Sequence, residues 1–99
     1  MELREKLGLA LKEAMRSKAA DRLSTLRLIN AAIKDRDIEA RSKGQDSVSD
    51  TEILAILAKM IRQREESAAI YEENGRIEMA EQERQEIEVI RGFLPEQLD

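Results

Sequence analysis

Apolar residues recur along this chain at spacings of three and four, the period of a helix with one buried face, and not at the spacing of two that strands require. Leu3, Leu7, Ala10, Leu11, Ala14 and Met15 form the first stripe and predict a helix over about 2–17. After Lys18, Ala19 and Ala20, Asp21 stands where an N-cap would accept the exposed amides of a second helix, over about 21–41. Its inward face is expected to hold Leu23, Leu26, Ile29, Ala32 or Ile33, and to reach Ile38, with Leu28 widening the stripe.

Residues 42–48 gather Ser, Gly, Gln and Asp without a period and read as the longest loop and the best place for motion. Ser49 then opens Ser-Asp-Thr-Glu, a capping box: the hydroxyl takes the Glu52 amide and the Glu52 carboxylate returns to the Ser49 amide. A third helix over about 49–74 follows, with Ile53, Leu57, Met60, Ile61, Ala68 and Tyr71 on one side. Asn74 and Gly75 supply the left-handed backbone that closes it. A fourth helix over about 76–92 carries Ile77, Ala80, Ile87 and Ile90 inward, with Phe93 and Leu94 closing the stripe before Pro95. The fold class that follows is all-α: four antiparallel helices in two helical hairpins, forming one domain over 1–99.

Composition then narrows the chemistry. Charged residues make up 38% of the chain, which would suit a disordered coil, but the periodic apolar positions favour folding. Cysteine and histidine are both absent, which removes disulfides, thiolate nucleophiles, Ser-His triads and nearly all zinc chemistry. Ser24, Thr25 and Ser67 have no base placed to activate them and read as packing hydroxyls. The carboxylates Asp35, Asp37, Glu81, Glu83, Glu86 and Glu88 read as solvated groups paired along their own helices, as Asp37 would pair with Arg41. The glycines at 8, 44, 75 and 92 are isolated and form no phosphate loop. No catalytic residue, metal or other cofactor is expected. The amphipathic, charged N-terminus and the lack of any transmembrane-length run suggest a cytoplasmic protein of bacterial type with no membrane partner.

Charge is unevenly spread. Residues 1–45 carry 11 Lys and Arg against 7 Asp and Glu, a balance of +4, whereas residues 46–99 carry 6 against 14, a balance of −8. Mutual attraction between the two hairpins is the expected use of this split, ahead of steering an anionic partner. Antiparallel pairing around Gly75 sets Arg64 against Glu83 or Glu86, and pairing around Gln45 sets Asn30 against Met60. These polar groups are expected to be paired where they meet the apolar stripes. The remaining functional signal is basic. Arg22, Arg27, Lys34, Arg36 and Arg41 lie on the second helix, and Lys59 and Arg62 lie one turn apart on the third. Of these, Arg27, Lys34, Lys59 and Arg62 are the candidate phosphate contacts. With only Tyr71 and Phe93 as aromatics, RNA recognition would rest on shape and backbone.

Three blocks carry a resemblance: Arg22-Leu-Ser-Thr-Leu-Arg-Leu-Ile-Asn-Ala-Ala-Ile-Lys34, Lys59-Met-Ile-Arg-Gln-Arg-Glu-Glu-Ser67 and Glu86-Ile-Glu-Val-Ile-Arg-Gly-Phe-Leu-Pro-Glu-Gln-Leu98. In this order they resemble the GatB/YqeY family. The resemblance implies an N-terminal four-helix domain whose smaller helical companion domain is absent here. It also implies kinship with the tail of the glutamyl/aspartyl-tRNA amidotransferase B subunit, which helps recognise tRNA. The carbon–nitrogen ligase chemistry of that enzyme, with glutamine as amido donor, resides in another domain and maps onto no residue of this chain. The implied function is therefore a tRNA-binding accessory module, with tRNA as partner. The alternative is a helical protein-interaction adaptor whose partner is another protein. Arg22, Asn30, Gln63 and Arg64 belong to the matching blocks, but their stripe positions favour an architectural role, with Glu83 and Glu86 as the carboxylates nearest Arg64.

Overall fold

The computed structural model describes residues 2–95 and shows an all-α fold without strands among them. Its helices are α1 (Leu3–Arg16), α2 (Ala20–Ser42), α3 (Asp50–Glu73) and α4 (Ile77–Arg91). Residues 96–98 of the third resemblance block lie outside the described residues. The two largest helix interfaces join α3 to α4 and α1 to α2, which makes the expected hairpins. The hairpins meet mainly through α2, which rests on α4 more than on α3. At 24 residues α3 is the longest of the described helices, about 36 Å at 1.5 Å per residue, in a body of 46 × 31 × 31 Å.

Leu26, Ile29, Ile53, Leu57 and Ile90 are fully buried at the centre, joined by Leu3, Leu7, Ile33, Met60, Ile61 and Ile87. Each such side chain contributes roughly 1.5–3 kcal/mol by leaving water. Several expected core residues lie outside. Ile38 is 58% exposed because it sits nine residues beyond Ile29, about 180° around α2. Met15, Leu28 and Ile77 are also exposed, the last as the first residue of α4 at the tip of its hairpin.

The helix ends show which local signals were sufficient. The capping box at Ser49 is present, with the Glu52 amide donating to Ser49 Oγ at 3.2 Å and the Ser49 amide to Glu52 Oε1 at 3.3 Å. Helices α1, α2 and α3 close with the same paired bonds. The residue in the left-handed conformation is Lys18, Gly44 and Gly75 in turn, and the following amide returns to Ala14, Ala40 and Tyr71. Lys18 occupies φ +58° without being glycine, at a cost of about 1 kcal/mol. That closure displaces the expected N-cap. Ala19 donates to the Ala14 carbonyl to end α1, and its own carbonyl accepts from Leu23 to start α2. Ala19 is therefore the N-cap, and Asp21 lies inside the first turn, where its charge faces the positive end of the helix dipole.

The segment between α2 and α3, expected to be mobile, is anchored at its Val48 end. Val48 is buried, its amide donates to Asp37 Oδ1 at 3.0 Å, and its carbonyl accepts from Arg4 at 3.1 Å. Arg4 also donates to both Asp37 oxygens, at 3.1 and 2.7 Å. Asp37 is thus not a solvated partner of Arg41: it is 8% exposed and accepts three hydrogen bonds that fasten α1, α2 and the segment together. These donors, Arg4 foremost, hold its carboxyl below the ordinary range.

Candidate functional site

All four candidate phosphate contacts are exposed, but they fall into two groups. Lys59 and Arg62 line a cleft of about 440 Å³ between α2 and α3, together with Arg36. Arg36 and Lys34 are two residues apart, about 200° around a helix, so Lys34 lies on the opposite flank of α2. Arg27 is seven residues before Lys34 and shares that flank. Only Lys59 and Arg62 are brought together, and Arg36 joins them as a cation that spacing along α2 alone did not single out. Arg36 approaches Glu39 only loosely, at 3.9 Å between exposed side chains.

The cleft is floored by Ala32, Ile56 and the buried Met60. Asp35, Glu52 and Gln63 also line it. Glu52 is committed to the capping box, while Asp35 takes part in no hydrogen bond or ion pair among the described residues. The cleft exists because α2 leans onto α4 and leaves the flank of α3 partly uncovered.

The polar residues expected to be architectural divide as well. Arg64 lies between α3 and α4, its Nε donating to Glu86 Oε1 at 2.9 Å and its NH1 to the Met60 carbonyl at 3.2 Å. Both side chains of this pair are largely buried. Glu83 stands beside them half-buried, and burial, with repulsion from Glu86, pushes its carboxyl above the ordinary range. Arg22, Asn30 and Gln63 are exposed instead. Asn30 makes no side-chain hydrogen bond among the described residues, so water satisfies it where a protein partner was expected. Thr25 is buried and donates to the Asp21 carbonyl at 3.2 Å, a packing hydroxyl as anticipated. No group of three or more Asp or Glu is placed to hold a metal ion among the described residues.

The charge split between the halves makes no direct ion pair across the fold among the described residues, although, after Asp37, Asp50 of the acidic half helps to hold the Arg4 guanidinium of the basic half in its charged form. Every ion pair among the described residues joins partners within 1–45 or within 46–99, and none crosses between the halves. On α4, Arg84 pairs with Glu72 and Arg91 with Glu88. Arg27, Lys34, Lys59 and Arg62 enter no such pair.

Residues 4–99 match the family described as Yqey-like protein. This chain belongs to that family. It is 35% identical over 86 residues to "Altered inheritance of mitochondria protein 41, mitochondrial" of Candida glabrata, covering 87% of this chain and 46% of the relative. The protein of the same name in Lachancea thermotolerans is 33% identical, over 85% of this chain and 43% of its own length. An uncharacterised protein of Schizosaccharomyces pombe is 29% identical, over 87% of this chain and 67% of its own. The Yqey-like chain therefore spans a little under half the length of the first two relatives. These relatives are fungal, two are named as mitochondrial, and their names mention neither tRNA nor amidation. They lend no support to the bacterial-type, cytoplasmic setting expected from sequence. No described helix is long and apolar enough to cross a membrane.

Proposed function

We propose that this Yqey-like domain is a tRNA-binding accessory module without catalytic activity of its own, the N-terminal four-helix part of a family architecture that assists tRNA-dependent amidation. The observation that carries the reading is the uncommitted charge. Four exposed cations on α2 and α3 have no carboxylate partner among the described residues of an acid-rich chain, and no ion pair among those residues links the basic half to the acidic one. Such cations attract phosphate and release condensed counterions when they meet it.

Titration with total tRNA across a salt series tests this. Saturable binding at low salt should weaken steeply as salt rises. Reversing Lys59 and Arg62 together should flatten the log–log slope by about 1.4–1.8, the loss of two phosphate contacts. Lack of saturable binding at low salt would sink the proposal. The exposed Leu9, Ile38, Ile70 and Met79 favour a second reading, a protein-interaction adaptor. Recovery of a stable protein partner after nuclease treatment, with no RNA bound, would decide for it.

A further inference from the structure

We infer that the cleft between α2 and α3 receives one unpaired nucleotide of an RNA strand, and that Asp35 there selects bases carrying an exocyclic amine over uracil. The inference rests on the RNA-binding reading above and names the part of the RNA that this site takes.

A duplex backbone needs cations on an exposed surface, which Arg27 and Lys34 supply on the far flank of α2. The α2/α3 cleft differs in being a concavity with an apolar floor. Its volume of about 440 Å³ lies in the range of small-ligand sites, roughly 300–1,000 Å³. Its floor of Ala32, Ile56 and Met60 presents aliphatic and thioether surface to one face of a base. Tyr71 and Phe93 lie elsewhere, so the planar surfaces available for stacking are the guanidinium groups of Arg36 and Arg62. Lys59 adds a mobile cation for the flanking phosphates. Ala55, exposed on α3 beside them, leaves the entrance unobstructed.

Asp35 decides the base. A carboxylate among cations that attract phosphate repels the RNA unless it accepts a hydrogen bond from it. An ionised carboxylate has acceptors only. Cytosine and adenine offer an exocyclic amine where uracil turns a carbonyl oxygen toward the same position, and guanine offers its amine from another edge of the ring. The other carboxylate, Glu52, already accepts from the Ser49 amide and hydroxyl, which leaves Asp35 as the acceptor to be satisfied.

The test uses the 99-residue chain with labelled single strands of oligo(C), oligo(A) and oligo(U), each about eight nucleotides and within the usual single-strand site size, and a blunt RNA duplex. Fluorescence anisotropy at low salt should show oligo(C) and oligo(A) bound about fivefold more tightly than oligo(U), the size of one hydrogen bond to a charged group near the surface. Asp35→Ala should erase that preference. Ala55→Trp, which closes the entrance from an exposed helix position, should weaken single-strand binding about tenfold while leaving duplex binding and the thermal melt unchanged. Lys59→Glu should lower single-strand affinity more than duplex affinity. Equal binding of all three oligomers, unaffected by Ala55→Trp, would overturn the inference and leave the RNA reading standing. Absence of any saturable RNA binding would overturn both. A protein partner whose binding Ala55→Trp abolishes, with RNA binding untouched, would assign the cleft to protein and overturn the inference as well.

Discussion

Arg4 and Arg64 each reach from one helix toward a carboxylate on another, yet they leave their surroundings in opposite states. Asp37 receives both Arg4 nitrogens and the Val48 amide, so one carboxylate has three donors. Arg64 stands between two carboxylates and bonds to Glu86, while Glu83 is left half-buried beside a like charge. The first arrangement satisfies a buried charge and uses it to close a loop across 33 and 44 residues of chain. The second marks the α3/α4 register at the expense of a strained neighbour. The lesson is that a short distance does not by itself make an ion pair stabilising: the balance of donors and carboxylates does.

The largest effect should come from the first site. Asp37→Ala leaves the Val48 amide and a guanidinium without their acceptor and should cost about 2 kcal/mol in chemical denaturation, reduced from the fully buried case because Arg4 is 37% exposed. A loss below about 0.5 kcal/mol would remove the clasp as a stabilising element. Next, Arg64→Met should cost about 1–2 kcal/mol by leaving Glu83 and Glu86 with no cation. Adding Glu83→Gln to that variant should recover more stability than it adds to the parent, because the two sites share one repulsion. Strict additivity would show that Glu83 and Arg64 do not act together.

The pH dependence should separate the sites by sign. Asp37 has its folded pKa depressed from an ordinary 3.8, so its contribution is present above that value and disappears as pH falls through the lower folded value. Glu83 has its folded pKa raised from an ordinary 4.5. Its contribution is present below 4.5 and is lost as pH rises through the higher folded value. The smallest predicted change follows: Glu83→Gln should stabilise the protein by about 0.5 kcal/mol at neutral pH and by nothing below pH 4.5. A destabilised Glu83→Gln at neutral pH would contradict the assigned strain.

Much of this molecule was legible in its sequence, and the legible part is local. A period of three and four placed four helices to within a residue or two. The Ser49–Glu52 box and Gly75 marked ends where the bonds span a single turn, and the i+22 pairing of Arg64 with Glu86 followed from a short, symmetric hairpin. The candidate site was read only in part. Lys59 and Arg62 fall together because they share one helix turn, whereas grouping them with Arg27 and Lys34 ignored how α2 is rotated. The same rotation leaves Ile38 and Asn30 in water. No side chain announces that Lys18 will take the left-handed position at the end of α1, because the bonds that close the helix there run from backbone to backbone, from the Lys18 and Ala19 amides to Met15 and Ala14.

What the sequence alone determined was therefore helix content, hairpin order, the absence of histidine and cysteine, and the uneven charge. The tertiary structure decided which charges are spent. It placed Asp37 under Arg4, leaned α2 onto α4 so that a cleft opens beside α3, and formed no ion pair between the basic and acidic halves among the described residues. The physical reason is range. Backbone bonds and apolar periodicity act within a turn and are written in neighbouring residues, whereas an ion pair or a cleft depends on how whole helices cross, which only their packed faces set.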